Sequence, residues 1–246
     1  MSMTIGILQT GRVAEALLSR HGDYPAMMQS MLSGNGMSFR IYAVLDGEFP
    51  ATPAECDGWL ITGSRHAVYE PWPWIPRLEE LIRNIVTTDR PLVGICFGHQ
   101  IIAQALGGRV EKSARGWGVG PMSYDLGQGE TVVINAWHQD QVIDPPPVAR
   151  RIATSDFCPN AVLAYGNRSL TYQGHPEFST GFMRDLLDLR RDLLPDDVVA
   201  RAGAALSGLV PSTGIARQIV QFLTTRTIVV TTNPSDPPRG QEQQKT

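Results

Sequence analysis

The chain has 246 residues, enough to bury a substantial core as one α/β domain. Its net charge of −3 gives no basic footprint, which argues against nucleic acid or an anionic membrane surface as a partner. No apolar run reaches the length of a membrane span and the N-terminus lacks a cationic and apolar leader, while Cys56, Cys96 and Cys158 have neither disulfide nor metal spacing; a reducing cytoplasm is the expected setting.

Thr4-Ile5-Gly6-Ile7-Leu8 reads as a first buried strand, and Tyr24 to Leu32, with Pro25 in its opening turn, as a helix. Ser38 to Val44 alternates as a second strand, and Asp57 to Thr62 forms a third that ends at Gly63-Ser64. Trp74 to Val86 then puts Leu78, Leu81, Ile82 and Ile85 on one helical face. It leads into Leu92-Val93-Gly94-Ile95, a short apolar run after Pro91, as in a buried parallel strand. Strands alternating with helices at this spacing imply βαβ units, right-handed crossovers and a mostly parallel sheet between helical layers. In such sheets ligands gather at the carboxyl ends of the strands, where Gly63 and Cys96 both fall.

From Gly107 to Gly129 glycines recur and helical periodicity is lost. Thr131 to Asn135, Arg151 to Thr154, Ala161 to Tyr165 and Ser169 to Tyr172 follow as short strands, predicting a small β-rich excursion. Asp144-Pro145-Pro146-Pro147 is a stiff loop inside it, not a domain boundary. Helices resume over Ser179 to Asp192, Asp196 to Leu206 and Thr213 to Leu223, a C-terminal extension from about residue 180. One domain over 1–230 is expected, followed by a disordered tail over 231–246 that is rich in Pro, Gln and charge.

The chemistry concentrates at Gly94-Ile95-Cys96-Phe97-Gly98-His99-Gln100. A strand turns into a helix within about three residues. Gly94 and Gly98 remove the Cβ atoms that would clash in so sharp a turn, the geometry of a nucleophile elbow with Cys in place of Ser. The thiol would sit at the tip, facing a helix N-terminus that favours thiolate. A buried structural cysteine is the plainer alternative, but it leaves both glycines and the strand-to-helix switch as coincidences.

This stretch resembles the nucleophile signature of class I (triad-type) glutamine amidotransferases, and Gly174-His175-Pro176-Glu177-Phe178 resembles that family's second signature. Between them, Ile61-Thr62-Gly63-Ser64 is similar to the family's oxyanion-strand segment. Trp137-His138-Gln139-Asp140-Gln141-Val142 is similar to a segment of its stand-alone, GMP-synthase-like branch. The match runs from about Ile5 to about Phe182 in the family's order. It implies a flavodoxin-like three-layer sandwich and a Cys96, His175, Glu177 triad.

A cysteine nucleophile needs a base, and the base needs an orienting partner; in extended backbone His175 and Glu177 project to the same side, with Pro176 fixing the chain between them. The N–H of Phe97 follows from elbow geometry as an oxyanion donor, and the N–H of Gly63 joins it by resemblance. By resemblance too, Gln100 binds the polar end of a glutamine-like substrate, and Trp137, Gln139 and Asp140 form a pocket-edge loop at its amino-acid end. Tyr69, Trp72 and Trp74, beside Pro71 and Pro73, either roof the cleft or simply pack.

No cofactor is expected and no metal: His138 and Asp140 lack companions at ligand spacing, and neither lysine, Lys112 nor Lys245, sits in a phosphate loop. Gly116-Trp117-Gly118-Val119-Gly120 opens no helix after a strand and fails as a dinucleotide fingerprint. The expected activity is cleavage of the γ-carboxamide of glutamine, or of a γ-glutamyl compound, through a thioester on Cys96. The resemblance leaves three forms of it open: the glutaminase half of a system with a separate synthetase subunit, a stand-alone γ-glutamyl peptidase, or a non-catalytic binding or regulatory subunit. A homo-oligomer is equally open.

Overall fold

The computed structural model describes residues 3–208 and 214–228. In chain order the elements are β1 (Met3–Leu8), α1 (Glu15–His21), α2 (Tyr24–Met31), β2 (Met37–Tyr42), β3 (Gly58–Ile61), α3 (Trp74–Thr87), β4 (Leu92–Ile95) and α4 (Phe97–Ala105). They continue with β5 (Arg109–Lys112), β6 (Gly118–Gly127), β7 (Glu130–His138), β8 (Asp140–Asp144), β9 (Ala149–Ala153), β10 (Val162–Tyr165) and β11 (Ser169–Tyr172). Three helices close the described chain, α5 (Thr180–Arg190), α6 (Asp196–Gly208) and α7 (Gly214–Thr225).

Seven strands form the central sheet in the order β2-β1-β3-β4-β11-β10-β9. The first five run parallel, and β10 and β9 complete the edge antiparallel. Period-two alternation divides the sheet residues between two layers. Leu8, Trp59, Ile61 and Leu92 face α3 and α4, packing with Leu78, Ile82, Phe97 and Ile101. Ile5, Ile7, Leu60, Val93 and Ile95 face the other way, against Met28 of α2, Ile219 and Phe222 of α7, and Ile134 of β7. A third apolar cluster, with Leu17, Phe178, Phe182, Leu186 and Val198, joins α1, α5 and α6 beside the carboxyl ends of the central strands.

The three-layer sandwich and its mostly parallel sheet match the sequence expectation, but the strand allocation needs correcting. Arg151–Thr154, Ala161–Tyr165 and Ser169–Tyr172 do not belong to a separate excursion; as β9, β10 and β11 they build the second half of the main sheet. The excursion itself is two antiparallel ribbons, β5-β8 and β6-β7. Partner choice depends on residues far apart in the chain, and β11 completes its register with β4 across 77 residues, as in Tyr172 opposite Ile95. Asp144, read as part of the proline loop, is the last residue of β8, and Pro145 to Pro147 lead out of that ribbon into β9 of the main sheet. The expected tail, 231–246, lies outside the described residues. Among the described residues no helix is long and apolar enough to cross a membrane.

Candidate active site

Between β4 and α4 Cys96 stands alone, with φ 52° and ψ −101°. A side chain in that region carries on the order of 1–3 kcal/mol of backbone strain, which persists only where the surroundings enforce it. Two glycines enforce it here. A Cβ on Gly94 would stand 2.5 Å from the carbonyl oxygen of Gly98, and one on Gly98 would stand 2.5 Å from that of Ile61 in β3. The chain therefore turns through a space that admits no side chain on either flank. Phe97 begins α4, where its N–H has no intrahelical acceptor.

β11 lies parallel to β4, so the residues after each strand emerge side by side. The Cys96 N–H donates to the carbonyl of Tyr172 (2.8 Å). Beyond Tyr172 the chain does not stay extended: Pro176 and Glu177 form a turn in which the Phe178 N–H donates to the His175 carbonyl (3.3 Å). Glu177 thus reaches the ring by turning back, not by the same-side projection of an extended segment. The turn is fastened to β7, since the His175 N–H donates to the Asn135 carbonyl (2.6 Å) and Asn135 Nδ2 donates to the Phe178 carbonyl (2.7 Å).

The imidazole Nδ1–H donates to Glu177 Oε1 at 2.7 Å, with both side chains essentially removed from solvent. A Cβ placed on Gly63 would meet the His175 ring at 2.7 Å and the Cys96 Cβ at 3.7 Å, so sulfur-bearing and imidazole side chains converge over that glycine. Burial works against an imidazolium at His175. The Glu177 carboxylate and then Cys96, which is within hydrogen-bonding reach, outweigh it and raise the pKa above the ordinary 6.5. Gln173 Nε2 donates to Cys96 Sγ at 3.8 Å, and the carbonyl of Trp137 lies 4.0 Å from the same sulfur. A thiol, an imidazole and a carboxylate on the imidazole's other nitrogen are the groups that nucleophilic catalysis by a cysteine requires.

Cys96 and His175 open into a cleft of about 770 Å³. One wall is polar: the Tyr69 hydroxyl donates to Asp140 Oδ2 (3.0 Å), and Lys112 lies opposite Asp140 in the β5-β8 ribbon. Burial raises the Asp140 pKa, opposed by the Tyr69 hydrogen bond and Lys112. Gln100 lines this wall with its Nε2 donating to the Asp140 carbonyl (2.8 Å) and to Gln173 Oε1 (3.2 Å). The other wall is apolar, with Tyr24, Phe178, Phe182 and Leu186 leading to Arg190. Asp23 places Tyr24 by capping α2, its carboxylate accepting from the N–H groups of Tyr24 and Val13 and from Gln9 Nε2.

Of the residues singled out in the sequence, Cys96, His175, Gln100, Trp137, Gln139 and Asp140 line one cleft. Glu177 stands behind His175, and Gly63 and Phe97 are buried beside the sulfur. Of the three loop aromatics only Tyr69 lines the cleft; Trp74 packs in the core on Phe97, ring centroids 5.5 Å apart. His99 points away, with Nδ1 against Thr171 Oγ1 (2.8 Å), and burial holds its pKa near 3. His138 is likewise kept neutral by burial, at about 4. Among the described residues no group of three His, Cys, Asp or Glu could hold a metal ion. Sequence reasoning missed Gln173, Asn135 and Tyr24 and gave Phe178 no role, although Phe178 stacks on His175. The available signals were an aromatic following His-Pro-Glu and an Asp-Tyr-Pro helix start.

Comparison with known proteins agrees with this geometry. The sequence profile described as "Glutamine amidotransferase class-I" matches residues 36–187. Gamma-glutamyl peptidase 2 of Arabidopsis thaliana is 27% identical over 216 residues, covering 81% of this chain and 87% of that protein. A glutamine-hydrolyzing GMP synthase of Pyrobaculum aerophilum is 28% identical over 198 residues, 73% of this chain but 37% of that protein. A solved glutamine amidotransferase from Thermotoga maritima superposes with a TM-score of 0.73 at 21% identity, covering 92% of this chain and 98% of that one. Profile match, strained elbow and His-Pro-Glu turn converge on one assignment: this chain belongs to the class-I glutamine amidotransferase family.

Proposed function

We propose that this protein is a stand-alone cysteine hydrolase of γ-glutamyl amide bonds, with Cys96 as nucleophile, His175 as general base and acid, and Glu177 as the carboxylate that orients the imidazole. The observation that carries this reading is the buried His175, tied to Glu177 at 2.7 Å and converging with Cys96 over Gly63. Cys96 sulfur attacks the γ-carbonyl carbon, and the oxyanion is received by the N–H groups of Gly63 and Phe97. His175 protonates the departing nitrogen as the C–N bond breaks, leaving a γ-glutamyl thioester. Water, deprotonated by His175, then displaces the sulfur and releases glutamate. Gln100, Trp137, Gln139 and Asp140 contact the glutamyl amino-acid end.

Peptidase is favoured over partner-dependent glutaminase because the named γ-glutamyl peptidase relative is matched nearly end to end, whereas little more than a third of the GMP synthase is matched. The cleft is also in the size range that encloses a drug-sized ligand, several times what free glutamine fills. The GMP synthase similarity keeps a second reading in play, a glutaminase that feeds ammonia to a separate synthetase. Steady-state assays on γ-glutamyl dipeptides and glutamine separate the two. The expected result is a kcat/KM at least about tenfold higher on the dipeptides, and a loss of about ten-thousandfold in Cys96→Ala. Glutamate release by Cys96→Ala at the wild-type rate rejects the mechanism. Glutaminase activity alone, rising with a co-purifying synthetase, selects the second reading.

A further inference from the structure

We infer that the substrate's leaving group ends in a carboxylate, and that Arg190, at the end of the cleft's apolar wall, is the residue that receives it. The inference rests on the peptidase reading, which puts the scissile bond at Cys96. A γ-glutamyl amide offers the cleft two chemically different ends, and the cleft has two chemically different walls. The glutamyl end is a zwitterion, one ammonium and one carboxylate. The polar wall carries a matching pair, the Asp140 carboxylate and the Lys112 ammonium, on facing strands. Of the cleft's other ionic groups, Arg12 is paired with Asp46, Glu70 accepts from His66, Trp72 and the Ala67 backbone, and Glu15 and Arg65 are exposed to solvent. The Arg190 guanidinium has no hydrogen bond or ion pair among the described residues, and unlike Arg65 it is half-buried.

Its setting suits an anion. Arg190 is half-buried at the end of a wall built from Phe178, Phe182, Leu186 and Leu194, and low polarity there strengthens a charge-assisted contact. Arg65, the other unpaired arginine of the cleft, is exposed on the loop after β3, where water screens it. Cys96, Tyr24, Phe178, Leu186 and Arg190 line one cleft, so a ligand attached at Cys96 shares that cleft with the guanidinium. The supporting helix is fixed, because Asp185 of α5 accepts from His21 (2.7 Å) and Arg20 (2.8 Å) of α1. Tyr24, Arg190 and Leu194 also fall outside the residues the family profile matches, 36–187, as features peculiar to this chain's specificity would. The released amine is then an amino acid or short peptide with an apolar body and a free C-terminus.

The test compares a γ-glutamyl-leucine dipeptide and a γ-glutamyl-leucyl-glycine tripeptide, each as free acid and as C-terminal amide. The expected wild-type kcat/KM favours the acid by at least about tenfold for one of the two lengths. Arg190→Gln is expected to bring that ratio close to one, Arg190→Lys to restore part of it, and Arg65→Gln to leave it as in the wild type. Equal rates on acid and amide in the wild type, a fall of both together in Arg190→Gln, or a collapse of the ratio in Arg65→Gln overturns the assignment. Calorimetric binding of the same four compounds to Cys96→Ser keeps this separate from the peptidase reading. An acid preference in binding that depends on Arg190 upholds the inference even if no peptide is cleaved; binding without that preference overturns it even if peptides are cleaved.

Discussion

The imidazole of His175 lies flat on the phenyl ring of Phe178, centroids 3.9 Å apart and planes 8° from parallel. Phe178 is itself held edge-on by Phe182 (4.5 Å), so packing fixes the plane of the imidazole and Glu177 fixes its rotation within that plane. Phe178→Leu keeps much of the volume and removes the flat face. It should lower kcat about tenfold with KM little changed, and cost less than about 2 kcal/mol in urea unfolding. Phe178→Ala should cost about 3–5 kcal/mol. Wild-type kcat in Phe178→Leu would mean that Glu177 alone positions the ring.

The pH dependence follows from the same ring. Because the His175 pKa is raised in the fold, the folded protein retains a proton that the unfolded chain gives up above pH 6.5. The resulting stability is complete below that value and is lost as pH climbs through the folded pKa. Glu177→Gln removes the main cause of the elevation. Denaturation measured from about pH 6 to about pH 9 should therefore show a steeper fall for wild type than for Glu177→Gln. The alkaline limb of kcat/KM should move to lower pH in the variant, with turnover down about a hundredfold or more. Parallel stability profiles would remove His175 as the titrating group.

Gly63 and Gly98 separate the demands of chemistry from those of folding. A methyl on Gly63 meets the His175 ring at 2.7 Å and no backbone atom, so Gly63→Ala should fold by pushing the imidazole off the Phe178 face and the Glu177 carboxylate that hold it, and lose about a hundredfold in turnover. A methyl on Gly98 meets the Ile61 carbonyl oxygen at 2.5 Å, and backbone cannot yield there. Gly98→Ala should fail to give soluble, cooperatively unfolding protein, as circular dichroism during thermal melts will show.

Gln173 bridges the sulfur and Gln100, donating to Cys96 Sγ and accepting from Gln100 Nε2. Gln173→Leu deletes both bonds and leaves a buried amide of Gln100 short of a partner. Such a loss costs about 1–3 kcal/mol, and kcat should fall about tenfold. Gln173→Glu keeps the acceptor but sets a carboxylate against the sulfur, so alkylation of Cys96 by iodoacetamide should be slower than in Gln173→Leu. Equal alkylation rates in the two variants would remove Gln173 from the sulfur's environment.

The residues legible in the sequence were those whose geometry is local. Gly94 and Gly98 flank the elbow within five residues, and their steric reason is present in the chain itself. Leu78, Leu81, Ile82 and Ile85 announce one buried helix face, and α3 buries all four. What escaped depends on distant partners. β9 to β11 were visible as strands, but their place in the main sheet is set by pairing with β4 across the intervening ribbons. α1 buries only Leu17 among its seven residues, too little for a periodic signal. β6 carries Gly118, Gly120 and Gly127, which suppress strand propensity, and it is strand only because β7 pairs along its length. Gln173 follows the end of β11 and Asn135 lies inside β7; nothing near either polar residue in sequence shows what it holds.

The parallel pairing of β4 with β11 makes competence a late event in the life of the chain. In the proposed mechanism Cys96 needs an imidazole made 79 residues later in the chain, and until those two strands dock the thiol has no such partner. On that mechanism the appearance of hydrolytic turnover during refolding serves as a clock for closure of the sheet's long-range contact.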